Sequence, residues 1–176
     1  VMNADKVIHS FWVPALGGKV DMIPGRETYL SLLPEVPGVY RGQCAEFCGA
    51  SHALMAFETV AMEPGDFESW LKAEARDAKA PATDDEQRGA TIFAREGCGA
   101  CHAIRGTQAI GQVGPDLTHV GGRMSLGAGI LGVEPADFER WIAHTGDLKP
   151  EVAMPTYDHL PADDLTALAA YLTALK

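Results

Sequence analysis

The sequence has no long hydrophobic run and comparatively little positive charge. No apolar stretch reaches the roughly 18–20 residues that a membrane-spanning helix needs, and the longest candidate, residues 165–175, is interrupted by threonines and small alanines. No secretory signal is visible. Fourteen basic residues face 24 acidic ones, for a net charge of −10. The chain therefore lacks the basic face that binding to nucleic acid requires, and no nucleic-acid partner is expected.

Cysteine is also scarce, but its placement is informative. The four cysteines form two close pairs with none left over, Cys44 with Cys48 and Cys98 with Cys101. Close pairs are typical either of disulfides in an oxidising compartment or of metal and cofactor sites. The residues around each pair indicate which of these two roles applies.

The 176 residues are enough for two small domains, and the composition is that of a globular protein, with 47% apolar and 22% charged residues. Residues 1–62 are predicted to form β structure, because short apolar runs alternate with Pro and Gly. These runs are 7–8, 11–13, 29–30, 36 and 39–40. A helix is predicted over 66–79, followed by a linker with the domain boundary at 76–82. This gives a first domain over 1–78 and a second over 83–176.

The second part is predicted to be helical. Helices are expected over 84–96, 135–144 and 162–175, and the first is opened by a capping box from Thr83 to Glu86. A long glycine-rich stretch, 106–132, separates the first two helices. A loop of that length is uncommon in a compact domain unless it wraps a functional site, so we expect it to enclose something.

Residues 98–102 read Cys-Gly-Ala-Cys-His. Two thiols at this spacing can each form a thioether to a haem vinyl group, and the adjacent His102 can then bind the iron. A redox disulfide would favour a thioredoxin-like βαβ setting, and a zinc site would need a second ligand pair nearby. Neither accompanies the motif, so the sequence predicts a covalently attached haem c.

The sixth iron ligand of an electron carrier should be soft, because His/Met ligation raises the potential and closes the iron to oxygen. Met154 is the favoured candidate, since Pro155 stiffens the loop that must present its sulfur. Met124 is the rival methionine. The histidines that offer bis-His ligation instead are His119, His144 and His159.

Residues 83–176 resemble class I cytochrome c. The resemblance rests on Gly89, Phe93, residues 98–102, residues 114–117, Trp141, Ile142, Met154, Pro155 and residues 170–172. It implies an all-α cytochrome c fold in which the Pro115 carbonyl bonds His102 and in which Gly89 and Phe93 pack near Tyr171. It also implies that Arg123 or Trp141 reaches a haem propionate. Pro161 departs from the family, which often has a Ser or Thr helix cap at that position.

The first cysteine pair lies in a segment with other soft ligands. Cys44, Cys48, His52 and Met55 occur within twelve residues, and His9 is the other histidine of this half. A disulfide would leave His52 and Met55 without a role, zinc has no use for Met55, and a single blue copper needs one cysteine. Two coppers bridged by both thiolates would use every residue. Ligand chemistry favours this last interpretation without excluding the others.

Residues 1–75 resemble the second half of the CuA domain of cytochrome c oxidase subunit II, a cupredoxin-like β-sandwich. The resemblance covers residues 7–14, 23–26 and 42–49, with His52 and Met55. It implies a binuclear copper CuA site in which Cys44 and Cys48 bridge the coppers and His9 and His52 are terminal ligands. Met55 and the Glu46 carbonyl would be weak axial ligands. The Glu46 side chain would help bind magnesium at the interface with subunit I.

A CuA domain followed by a cytochrome c domain is the arrangement of subunit II in caa3-type oxidases, which this chain resembles over nearly its whole length. The implied function is electron transfer in aerobic respiration: electrons pass from the haem to the copper pair and on to subunit I, where oxygen is reduced and protons are pumped. This chain would supply electron entry to the enzyme and no catalytic residue of its own. The implied partners are subunit I, other oxidase subunits, and an electron donor such as a quinol-oxidising complex or cytochrome c. The implied location is the outer, periplasmic face of the bacterial cytoplasmic membrane.

The chain departs from that family at its N-terminus. The family has a transmembrane hairpin and several sandwich strands before the position of Val1, which lies inside an expected strand, so we expect residue 1 to be a processing boundary. An incomplete sandwich would expose strand edges and apolar faces. Two other functions remain open: a soluble two-centre electron carrier with no oxidase partner, and a haem-based sensor, which would need an open sixth position.

Overall fold

A computed structural model describes all 176 residues, as a β-rich part followed by a helical part. The strands are β1 (His9–Trp12), β2 (Val20–Met22), β3 (Gly38–Cys44) and β4 (Ala56–Ala61). The helices are α1 (Pro64–Glu74), α2 (Asp84–Arg95), α3 (Pro135–Ala143), α4 (Thr145–Leu148) and α5 (Ala162–Ala174). Short 3₁₀ turns cover His52–Leu54, Cys98–Ala100 and Val120–Gly122. None of the helices has the length and apolarity to cross a bilayer.

The strands form one antiparallel sheet in the order β2-β1-β3-β4. Phe11 of β1 pairs with Cys44 at the end of β3, and Gly42 pairs with Phe57 of β4. A Cβ at Gly42 would lie 2.3 Å from the Phe57 ring, which instead stacks on Phe11 with 4.9 Å between centroids. Glycine at position 42 therefore lets this aromatic pair close over the sheet, next to the strand end that carries Cys44.

The predicted fold class, β structure followed by a helical domain, is confirmed, but several strand positions were wrong. Residues 7–8, 29–30 and 36 form no strand, because none of them pairs with a neighbouring strand. The named runs missed β2 and β4, whose ladders depend on distant partners. The β-rich part contains a single four-stranded sheet, in agreement with a sandwich that was expected to be incomplete.

Local chemistry accounts for the helix ends. Thr83 caps α2 through a hydrogen bond from the Glu86 amide, 3.2 Å, while the Glu86 carboxylate accepts from the Ala82 amide one residue before the position of a full capping box. α1 ends at Glu74, five residues earlier than predicted, because the following chain bonds the helical part instead: the Ala78 amide donates to the Arg105 carbonyl at 3.0 Å. α5 starts after Pro161 with no side-chain cap, and the Asp164 carboxylate receives hydrogen bonds from Arg88 and Arg95.

The hydrophobic core lies in the helical part, where α5 packs against α2 and α3. A Cβ on Gly89 of α2 would lie 2.0 Å from the Ala167 carbonyl oxygen of α5, so only glycine allows the two helices to approach this closely. Phe93 meets Tyr171 edge to face, with 5.9 Å between ring centroids. These contacts fix the helix crossing that supports the Cys98–His102 turn.

Two candidate metal sites

The first cluster combines residues from the start of β1, the end of β3 and the loop that follows β3. His9 begins β1, Cys44 ends β3, and the loop from 45 to 55, called here the copper loop, carries Cys48, His52 and Met55 back to the start of β4. The Cys44 and Cys48 sulfurs lie 3.8 Å apart. His9 Nδ1 is 3.8 Å from the Cys44 sulfur, and His52 Nδ1 is 3.7 Å from the Cys48 sulfur. Each thiol therefore has its own imidazole.

Each sulfur also has one weaker donor beside it. The Glu46 carbonyl oxygen lies 3.2 Å from the Cys44 sulfur, and the Met55 thioether lies 3.9 Å from the Cys48 sulfur. The resulting set consists of two matched halves, each with a thiolate, an imidazole and a weak donor. The Glu46 side chain itself is exposed.

The sulfur spacing is that of metal ligands. Both thiols are free, and their separation far exceeds the roughly 2.05 Å of a disulfide. Two thiolates each about 2.3 Å from a common metal ion would lie at the observed spacing. Among the common metals, thiolate and thioether sulfur beside imidazole favours copper. The donor set therefore fits a copper centre.

The electrostatics of the two thiols also supports a bound cation. Burial raises the pKa of the Cys48 thiol, and the hydrogen bond and charge of the neighbouring Cys44 raise it further. Two adjacent thiolates repel each other, so a nearby cation is needed to keep both ionised at neutral pH. Lys149, from the helical part, is close enough to lower the pKa of Cys48.

The second cluster follows α2. Gly97, with φ of 72°, ends the helix in the left-handed region, and the next turn presents Cys98, Cys101 and His102. His102 Nδ1 donates to the Pro115 carbonyl at 2.8 Å, which leaves Nε2 free to bind a metal. A Cβ on Gly114 would lie 2.5 Å from the His102 ring, so glycine is required there for the imidazole to sit in this orientation.

These residues open into an apolar crevice of about 460 Å³. Its lining includes Cys98, Cys101, His102, Pro115 and Met154. Burial raises the pKa of the Cys98 thiol to about 11, which is consistent with a side chain set in an apolar wall. A large apolar crevice with two thiols, an imidazole and a thioether in its walls fits a covalently attached haem.

The alternative iron ligands lie elsewhere. Met124 is 52% exposed and lines a different cleft, between the helical part and α1. His119 Nε2 bonds the Arg76 carbonyl at 3.1 Å. His144 and His159 lie near the Asp147 and Glu96 carboxylates, each at 3.9 Å. None of these four residues lines the crevice.

The two candidate propionate contacts, Arg123 and Trp141, both line the crevice. Arg123 donates to the Asp116 carbonyl at 2.5 Å, and the Trp141 ring packs over Gly127. The lining also includes residues that sequence reasoning did not single out, among them Lys149 and Tyr157. Desolvation lowers the pKa of Lys149, whose Nζ donates to the Gly127 carbonyl at 3.0 Å, and burial raises the pKa of Tyr157. Neither residue belongs to a motif with fixed spacing, so only the folded loops reveal them.

Comparison with known proteins places both clusters in described domains. Residues 1–62 match the family described as cytochrome c oxidase subunit II, periplasmic domain, and residues 86–176 match the cytochrome c family. A protein of Alkalihalophilus pseudofirmus named cytochrome c oxidase subunit 2 is 39% identical over 175 residues, which are 99% of this chain and 50% of that protein. The protein of the same name from Bacillus subtilis is 32% identical over 186 aligned positions, which cover 99% of this chain and 52% of that protein.

The chain thus spans about half the length of the curated relatives it matches. Among solved structures, the periplasmic domain of subunit II of cytochrome oxidase from Bradyrhizobium japonicum is 38% identical, with a TM-score of 0.40, over 41% of this chain and 52% of that one.

Proposed function

Because this chain belongs to the cytochrome c oxidase subunit II family and carries a cytochrome c domain, we propose that it is the electron-entry subunit of a caa3-type respiratory oxidase. The first domain type implies copper and the second implies haem. When bound, the two groups would supply one-electron redox chemistry, with electrons entering at the haem and leaving through the copper centre towards subunit I. The oxygen chemistry and proton pumping belong to that partner subunit.

One observation carries this proposal: the chain assembles two complete donor sets for redox metals. In the first, each of two free thiols has an imidazole within 3.8 Å. In the second, two thiols and an oriented histidine share a crevice with a methionine. Ligands held in place by a strand end, a capped helix and a proline carbonyl need little rearrangement when charge arrives or leaves.

For the copper centre we propose a binuclear CuA site. Cys44 and Cys48 would bridge the two ions, His9 and His52 would each bind one of them, and Met55 and the Glu46 carbonyl would be weak axial ligands. The matched halves of the donor set support two ions rather than one. We further propose that the exposed Glu46 carboxylate helps bind magnesium where subunit I docks.

For the haem we propose thioether attachment at Cys98 and Cys101, with His102 and Met154 as axial ligands. Pro115 would set the orientation of the imidazole, and Arg123 and Trp141 would contact the propionates. The position of these residues along the crevice supports the assignment. We also propose a domain boundary at 76–82, between α1 and α2, and an outer-face location, which the periplasmic description of the matched domain supports.

The proposal is tested by metal analysis with optical and electron paramagnetic resonance spectra of the loaded chain. We expect two coppers per iron, a low-spin His/Met haem spectrum and the signal of a mixed-valence copper pair. Cys48→Ser should abolish the pair signal and leave the haem spectrum intact, and Met154→Ala should do the reverse. A single copper with an ordinary type 1 signal, or a disulfide between Cys44 and Cys48, would refute the binuclear assignment.

A further inference from the structure

The loop that carries Met154 touches the copper loop directly. The Ser51 hydroxyl donates to the Pro150 carbonyl at 2.5 Å, and the Ala50 amide donates to the Glu151 carboxylate at 3.2 Å. Ala50 and Ser51 lie between the proposed copper ligands Cys48 and His52 in the sequence. The two ligand-bearing loops are therefore joined by two side-chain hydrogen bonds.

The backbones on both sides are shaped for this approach. Glu151 has φ of 62°, in the left-handed region that residues other than glycine rarely occupy. Such a conformation persists where surrounding contacts hold it. Opposite it, Gly49 has φ of 126°, a conformation that favours glycine, and it faces the Glu151 carboxylate at van der Waals distance. The contact thus involves an uncommon backbone conformation in each loop.

A second contact flanks the first at the mouth of the haem crevice. The Ala56 amide, one residue after Met55, donates to the Ala128 carbonyl at 2.9 Å. Ala128 and Lys149 both line the crevice, and Lys149 ties their two loops together through the Gly127 carbonyl. The copper loop is therefore bonded to the loops around the crevice at its middle, through Ala50 and Ser51, and directly after its end, through Ala56.

We infer that Glu151 and Ser51 are positioning residues that hold the copper loop on the rim of the haem crevice, so that electrons cross between the two centres through this contact. The inference rests on the proposed function. In the transfer, one electron would leave the haem that His102 and Met154 would hold and enter the copper centre that Cys44 and Cys48 would hold. No bond forms or breaks and no proton moves. Because tunnelling weakens steeply with distance, loosening this contact should slow the transfer without altering either ligand set.

The test uses the haem- and copper-loaded chain with the variants Glu151→Ala, Glu151→Gln and Ser51→Ala. Alanine and glutamine both keep a Cβ in the left-handed backbone, so they differ only in the hydrogen-bond acceptor. Glu35→Ala is the matched control, since Glu35 is an exposed glutamate outside this contact. Unchanged optical and paramagnetic spectra and unchanged midpoint potentials in each variant would show that the ligand sets are intact.

The first readout is hydrogen exchange at the Ala50 amide. Losing an acceptor that carries charge should speed exchange about tenfold or more in Glu151→Ala, while Glu151→Gln and Glu35→Ala should keep the protection. The second readout is the rate of electron transfer from haem to copper after a flash from a photoexcited one-electron donor. The double variant Glu151→Ala with Ser51→Ala should slow this rate several-fold. The single variant Glu151→Gln, which keeps Ser51, should retain most of the unmodified rate.

The outcomes separate this inference from the proposed function. If the unmodified chain forms both centres but the alanine variants change neither exchange nor rate, the positioning role is overturned and the function stands. If glutamine behaves like alanine, charge rather than hydrogen bonding is responsible, and the inference again fails. If the copper pair does not form in the unmodified chain, the proposed function fails, and an unprotected Ala50 amide would show that the contact itself is also absent.

Discussion

The β-rich part and the helical part hold their proposed metal ligands in place by different means. Of the 17 buried hydrophobic residues, 16 lie between Ile92 and Leu175, and Val13, directly after β1, is the one in the β-rich part. The sheet instead exposes large apolar side chains such as Val39 and Val60, and the copper loop exposes Phe47. The helical part therefore holds its ligands with a packed core, whereas the β-rich part holds them with strand pairing and, on our proposal, with the metal and the contacts to the crevice rim.

This difference shows that a ligand set does not need its own core if the pairing of strands fixes its geometry. Phe11 faces Cys44 across the β1–β3 ladder, which brings His9 to the end of the sheet where the copper loop begins. The proposed haem ligands, in contrast, come from loops that only the helix packing brings together.

The largest expected effect comes from removing the haem, because core residues such as Phe93, Phe138 and Leu168 line its crevice. Cys98→Ala with Cys101→Ala should leave the crevice without its covalent occupant. At roughly 24 cal/mol per Å³, an empty apolar cavity of about 460 Å³ would cost on the order of 10 kcal/mol as an upper limit. Native stabilities are only about 5–15 kcal/mol. We expect the helical part to lose cooperative thermal unfolding, measured by circular dichroism.

The matched control is Cys44→Ala with Cys48→Ala, which also removes two thiols but from the β-rich part. It should leave the helical signal and its melting transition unchanged. If the haem-free Cys98→Ala, Cys101→Ala variant still unfolds cooperatively at the original temperature, the core of the helical part is stable without the haem.

A second change tests the helix crossing alone. Gly89→Ala puts a Cβ 2.0 Å from the Ala167 carbonyl oxygen, so α2 and α5 must separate, at a cost of about 3 kcal/mol. Gly65→Ala in α1 is the control, because nothing lies within 4 Å of its added Cβ, and it should be neutral or slightly stabilising. Denaturant unfolding monitored at the haem absorption measures both. Equal stabilities would contradict the close packing of these helices.

A third pair of variants tests the sheet. Val13→Ala removes a side chain that is 1% exposed and should destabilise the β-rich part by about 2 kcal/mol. Val39→Ala removes the same atoms at a site that is 55% exposed, and we expect less than about 1 kcal/mol. The exchange rates of the β3 and β4 amides measure the difference. Similar effects at the two positions would mean that the outer face of the sheet is covered in solution.

The smallest expected effect concerns the ion pairs at the start of α5. Hydrogen bonds from Arg95 and Arg88 lower the pKa of Asp164 below its ordinary value of 3.8. A lowered pKa stabilises the folded state above that ordinary value, and this stabilisation is lost as the pH falls through the folded-state pKa. Asp164→Asn should therefore be less stable than the unmodified chain at pH 7, with the gap closing below pH 3.8. A gap that does not depend on pH would rule out the charge as its cause.

The sequence was most informative where the proposed metal ligands lie only a few residues apart. The haem motif at 98–102 and the copper loop each place several donors within a few residues, so the donor sets could be named before any fold was known. Helix starts were also predictable, because caps such as Thr83 are local. The family prediction was confirmed by the matches to both domains.

What the sequence could not reveal depends on distant partners. Strand β2 has three residues and exists because it pairs with β1. The hydrogen bonds of Ser51 and Ala50 join positions about a hundred residues apart, with separations of 99 and 101. Lys149 and Glu151 acquire their roles only when the Met154 loop folds against the copper loop, and no local pattern marks either residue.

The most direct test of the two-centre account is a reductive titration of the fully loaded chain, followed at the haem and copper absorptions together. Three metal ions should take up two electrons, one at the haem and one shared by the copper pair. An uptake of one electron would contradict the proposal, because it would mean that no copper pair is present. An uptake of three electrons would also contradict it, because the sulfurs and metals of the β-rich part would then act as separate redox groups.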